Sequence, residues 1–87
     1  MAEIGDTVWI AEWLAELKPV PEGEDFDADV HCVYREQVCP DRTTAVALAT
    51  KNDLNNEGHV YSKTYVRDYD GYPYWMRNDD RKLAYEI

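Results

Sequence analysis

Thr7-Val-Trp-Ile-Ala-Glu-Trp-Leu-Ala-Glu-Leu17 is the stretch on which the fold turns. Read as a strand, its period of two places Trp9, Ala11, Trp13, Ala15 and Leu17 on one face. Read as a helix, it has Asp6 as a cap and an apolar stripe of Trp9, Ile10, Trp13, Leu14 and Leu17. The β-rich opening Thr-Val-Trp-Ile, and the hairpin-like order of the segments after Leu17, favour the strand.

Working outward, residues 18–25 hold two prolines, a glycine and three acids, the composition of an exposed loop. Residues 26–36 alternate, with Phe26, Ala28, Val30, Cys32 and Tyr34 on one side and Asp27, Asp29, His31 and Arg35 on the other, so a strand is expected. A helix is expected over 41–54. Pro40 and Asp41 provide its start, Ala45, Leu48 and Ala49 a narrow apolar stripe, and Asn55-Asn-Glu-Gly58 its stop. Residues 60–69 alternate again. Residues 72–77 and 81–87 read as two short strands joined in a terminal hairpin by a tight turn at Asn78-Asp-Asp80. The expected fold is a single α+β domain over 1–87, with one antiparallel sheet of four or five strands and one helix packed on one face. Trp9, Trp13, Leu48, Val60, Val66 and Trp75 are the expected core.

Charge is distributed unevenly. Residues 1–30 carry nine carboxylates against the single cation Lys18, whereas residues 31–87 carry nine against eight, so nearly all of the net −9 lies in the first third. Such a field repels nucleic acid and membrane surfaces and attracts basic ones. No signal-peptide pattern opens the sequence, and the longest apolar run, 45–49, is far short of the roughly 20 residues of a membrane span. A soluble, cytoplasmic protein without direct nucleic-acid or membrane partners is expected.

The chemical motifs are sparse. Cys32 and Cys39 are the only cysteines and are expected to be reduced thiols. With His31 and His59 they offer zinc ligands by type but not by spacing. Asp25, Asp27, Asp29 and Glu36 fall at positions 1, 3, 5 and 12 of a calcium loop, yet Val30 stands where the sharp turn needs glycine. Neither a metal nor another cofactor is expected. Ser62 is the single serine, and no nucleophile motif or phosphate-cradling loop is present, so no catalytic residues are assigned and an enzyme is not expected.

Two surfaces remain as candidate sites. On a strand, Asp25, Asp27 and Asp29 would form a row at a spacing of about 6.6 Å. With Glu22 and Glu24, and helped by Glu12 and Glu16, that row would draw in Lys/Arg clefts that ordinarily grip phosphates, with Trp13, Phe26 or Tyr34 adding apolar contact. The second candidate is the Tyr61, Lys63, Tyr65, Arg67 and Tyr69 face, whose rings and cations suit packing or protein contact. In size, acidity and the row from Glu22 to Asp29, the chain resembles the small acidic accessory proteins of bacteriophages and other mobile elements, among them anti-CRISPR proteins and DNA mimics. The resemblance implies an inhibitor in a host cell's cytoplasm that blocks the basic cleft of a nucleic-acid-binding protein or nucleoprotein complex. The alternative is a non-catalytic interaction module, or a homodimer, built on the Tyr-rich face.

Overall fold

The structure, a computed structural model, describes residues 2–86. Its elements run β1 (Thr7–Leu17), a one-turn helix α1 (Ala28–His31), β2 (Cys32–Cys39), α2 (Arg42–Asn52), β3 (His59–Arg67), β4 (Pro73–Arg77), β5 (Lys82–Leu83) and a 3-10 turn (Ala84–Glu86). All pairings are antiparallel, in the order β2-β1-β3-β4, with β5 also pairing β3. The fold is therefore the expected α+β sheet, curled as a half-barrel, with one helix of two turns or more. The ambiguous stretch is the strand β1, flanked on both edges.

Because β2 and β3 both run antiparallel to β1 and lie on either side of it, the chain must cross a sheet face between them, and α2 makes that crossing. Asp41 starts it, its side chain accepting the Thr44 N–H at 2.7 Å. Ala45 and Ala49 face the sheet, and their small side chains allow close approach to a core of Ala11, Trp13, Cys39, Val60 and Ala84. Trp9, Val46 and Leu48 pack on its margin, and Arg42 lies 6.0 Å from the Trp9 ring. Val66 and Trp75, expected in this core, lie outside it and are only half-buried. The 11 residues of α2 span about 16 Å, too short to cover the β3–β4 end of the sheet. On the opposite face Ile10, its cross-strand partner Tyr61, and Leu14 are buried.

Three sequence expectations are corrected. Residues 26–31 are not strand; Asp27 caps a helical turn instead, accepting the Asp29 N–H at 3.0 Å. Short acids at alternate positions bond their own backbone more readily than they extend it. Residues 72–77 and 81–87 do not form a hairpin. β4 and β5 succeed one another along the same edge of β3, and the break between them is bridged by side chains: Asp80 accepts the Ser62 N–H at 2.9 Å, and the Asn78 amide donates to the Ser62 and Thr64 hydroxyls, each at 2.9 Å. The expected last strand is cut to Lys82–Leu83 before the 3-10 turn, and its end, Ile87, lies outside the described residues. β3 itself stops at Arg67, where the Asp68 carboxylate accepts the Asp70 and Tyr72 N–H groups and turns the chain.

β3 begins opposite Glu12, so β1 runs on without that neighbour. Asp53 fills the gap. Its Oδ1 accepts the Leu14 N–H at 3.0 Å, while Oδ2 accepts the N–H groups of Asn55 (3.2 Å) and Glu57 (2.7 Å) and the Tyr85 hydroxyl (3.1 Å). Burial pushes this carboxyl up, but the bonds from Leu14, Glu57, Tyr85 and Asn55 outweigh it and hold Asp53 below its ordinary value. Because the folded value is depressed, the stability it supplies is fully present above the unfolded carboxylate value of about 3.9 and is lost as pH falls through the lower folded one. Asp53→Ala should cost about 1–3 kcal/mol in urea unfolding at pH 7, since the buried Leu14 N–H loses its acceptor. The loss should shrink as pH drops below 4. A Cβ on Gly58 would stand 2.8 Å from the Ala49 carbonyl oxygen. Gly58→Ala should therefore lower stability by about 1–3 kcal/mol in the same measurement, because helix and loop backbones must part.

Candidate functional site

The acidic candidate residues gather at the free end of the β1–β2 hairpin. The Lys18 N–H donates to the His31 carbonyl at 2.7 Å and closes the base of this tip. Within it, Glu24 N–H donates to the Pro21 carbonyl at 3.1 Å, around Gly23 with φ +88°. His31 is buried, with Nδ1 at 2.9 Å from both the N–H and the carbonyl oxygen of Asp27, and Phe26 stacks on its ring at 5.6 Å. The tip is thus tied by specific bonds while the side chains of residues 18–30 are exposed.

Glu22, Glu24, Asp25, Asp27 and Asp29 all lie on this tip. The strand-borne row of Asp25, Asp27 and Asp29 does not form, because helical geometry turns Asp27 and Asp29 off a common line. What remains is a cluster of carboxylates in which Phe26 (60% exposed), Val30 (58%) and Val20 (38%) are also presented to solvent. Among the described residues the one ion pair is Arg81–Glu12, so no tip carboxylate has a cation within 4 Å.

A β-bulge separates the two helper glutamates. Leu14 pairs with Tyr34 but Glu16 with Val33, leaving Ala15 as the extra residue. Paired residues share a face, so Glu12, opposite Glu36, and Glu16, opposite Val33, point to opposite sides of the sheet. Glu16 is exposed next to the base of the tip. Glu12 is not part of that surface: it lies on the face away from α2, within 2.6 Å of Arg81 Nη2, with little side-chain exposure. Trp13 is buried under α2 and cannot flank the acids, whereas Phe26 is exposed among them.

Sequence reasoning missed the groups around Glu12. Register aligns Glu36, Glu12 and His59 across β2, β1 and β3. A cleft of about 240 Å³ opens there, lined by Glu12, Tyr34, Glu57, His59 and Arg81. Two glutamates directly opposite repel; Arg81 on Glu12, and the Tyr61 hydroxyl donating to Glu36 at 3.2 Å, offset that repulsion. Burial pushes Glu12 up, but the bond to Arg81 and its charge prevail and hold it below its ordinary value. His59 Nδ1 lies 2.7 Å from the Glu57 carbonyl, which only accepts, so that nitrogen carries a proton and donates it. Alternation along 7–17 placed Glu12 on a face, but only the pairing of three distant segments identifies its neighbours.

The second candidate face is largely closed on itself. Tyr61 is buried with the Arg77 guanidinium 4.3 Å and Lys63 Nζ 5.9 Å from its ring centre. Burial and the Glu36 carboxylate push its phenol up, so it stays a donor. The Tyr65 and Trp75 rings pack tilted at 48° with centroids 5.0 Å apart, Arg67 donates to the Gly71 carbonyl at 3.0 Å, and Tyr69 lies beyond the strand, fully exposed in the turn. The five residues therefore do not form one continuous strip.

Cys32 and Cys39 are free and lie at opposite ends of β2, and burial pushes the Cys39 thiol up. No group of three or more His, Cys, Asp or Glu among the described residues is placed to hold a metal ion. No helix there is long and apolar enough to cross a membrane. No protein-family model, curated protein or solved structure matches the chain. Replacing Arg81 with Met should raise the Glu12 carboxyl towards or above its ordinary value, read from its side-chain carbon shift in an NMR titration, because the burial that opposes ionisation stays while the cation is gone.

Proposed function

We propose that the chain is a non-catalytic binding protein, a stoichiometric inhibitor of the acidic accessory type, that docks its hairpin tip on a basic, nucleic-acid-binding surface of another protein or nucleoprotein complex. The observation that carries this reading is the tip itself: five exposed carboxylates without a cation partner among the described residues, held on a bonded backbone around an exposed phenylalanine. An acidic surface kept only for solubility has no need of an apolar anchor or of a backbone fixed by a buried histidine. Charge speeds encounter and sets orientation, and Phe26, Val20 and Val30 supply the desolvated contact that charge alone does not. Glu22, Glu24, Asp25, Asp27 and Asp29 are the contacting acids, with Glu16 at their margin. Without a straight row of carboxylates, the recognition rests on charge density and an apolar centre rather than on the spacing of a phosphate backbone.

The reading is tested by capture from a bacterial lysate with the intact protein and with the five acids changed to Asn or Gln. The intact protein should retain a basic, nucleic-acid-binding partner whose retention falls between 50 and 500 mM salt, as expected when attraction is screened over about 8–10 Å or less. Phe26→Ser should weaken retention without changing its salt dependence. Equal capture by the neutralised protein would defeat the proposal.

A further inference from the structure

The two edges of the sheet are treated differently. On one, β4 is five residues long and starts at Pro73, β5 has two residues, and the gap between them is filled by Asn78 and Asp80 bonding β3. Short strands, a proline and an interruption are the ordinary guards of an edge. On the other edge, β2 is eight residues long, about 27 Å when extended. It contains neither proline nor glycine, and among the described residues it pairs with β1 alone. Its side chains on the face away from α2 are Cys32 at its start, then Tyr34 (47% exposed), Glu36 and Val38 (63%).

A second copy is not the natural occupant of this edge. Antiparallel self-pairing about a two-fold axis requires paired residues to share a face. The two registers with the longest overlap then place Arg35 on Arg35 of the other copy, or Glu36 on Glu36. Each sets like charges directly opposite, which is destabilising. A complementary strand has no such conflict. It would set apolar side chains against Tyr34 and Val38 and a lysine or arginine against Glu36, and it would run beside the most acidic part of the molecule.

From this we infer that β2 is a strand-addition site for an extended, basic segment of a partner, with an apolar–cation–apolar pattern on the face shared with Tyr34, Glu36 and Val38. Main-chain bonds to the open edge give the affinity and the alternate side chains give the selectivity. The inference rests on the proposed binding of a basic partner and names the secondary structure through which that partner is held.

The probe is the acetylated and amidated peptide Thr-Val-Thr-Lys-Thr-Val-Thr, followed by amide shifts and hydrogen exchange of the intact protein. Saturable binding should slow exchange at alternate amides of β2. Replacing the peptide lysine with glutamate should weaken binding about fivefold or more, and Glu36→Lys in the protein should reverse that preference. Methylating the peptide nitrogens on the pairing side should abolish binding while leaving its side chains unchanged. The peptide substitutions need no altered protein, so the result does not depend on whether Glu36→Lys folds. Perturbation confined to the tip, indifference to nitrogen methylation, or a protein dimer joined through β2 would each overturn the inference. A partner lost on neutralising the tip, together with no peptide binding at β2, would overturn the inference and leave the proposed function standing.

Discussion

The Asp53 carboxylate joins three parts of the chain that no strand pairing connects. β1 outruns β3 at Glu12, and from there its backbone would face the α2–β3 connection without a ladder. Asp53 accepts from Leu14, and the Leu54 N–H donates back to the Leu14 carbonyl at 3.2 Å, so the connection serves as a short substitute strand. The same carboxylate takes the Tyr85 hydroxyl, and the Gly58 carbonyl takes the Ala84 N–H at 2.8 Å, which fastens the C-terminal turn under α2. Leu14 and Ala84 are both buried, so their backbone groups have no water to turn to. Helix position, loop shape and chain end are all set by meeting that requirement.

A second consequence is the division of the molecule into a packed middle and two open ends. The core under α2 is made largely of alanines with Trp13, which suits close helix approach but gives the helix little reach. Beyond it, the β3–β4 end is held by the tilted packing of Tyr65 against Trp75 and by cations over Tyr61, interactions that tolerate water. At the other end the hairpin tip is held by backbone bonds and by His31. Among the described residues only Glu12 is drawn into an ion pair, because the segment leading into β5 brings Arg81 across β3 to meet it.

The fold class was legible in the sequence because local patterns and punctuation agreed along most of it. Asp41 starting a helix and alternation from Val60 each act over a few residues, and each is seen in the structure. The hard segment was hard for a physical reason. β1 is central and buries both faces, Ala11 and Trp13 under the helix and Ile10 and Leu14 opposite, so its apolar residues come nearly continuously and the period of two is blurred.

The sequence by itself determined the charge asymmetry, the number of main elements and the exposure of the acidic loop, since composition and short-range periodicity carry all three. Tertiary structure decided the rest. The bulge at Ala15 sends Glu12 and Glu16 to opposite faces. The register aligns Glu36, Glu12 and His59 from three separate segments, and the order of strands leaves β2 with a free edge. Each depends on which distant backbone supplies a hydrogen-bond partner, and that choice is made by the folded sheet as a whole, not by any run of neighbouring residues.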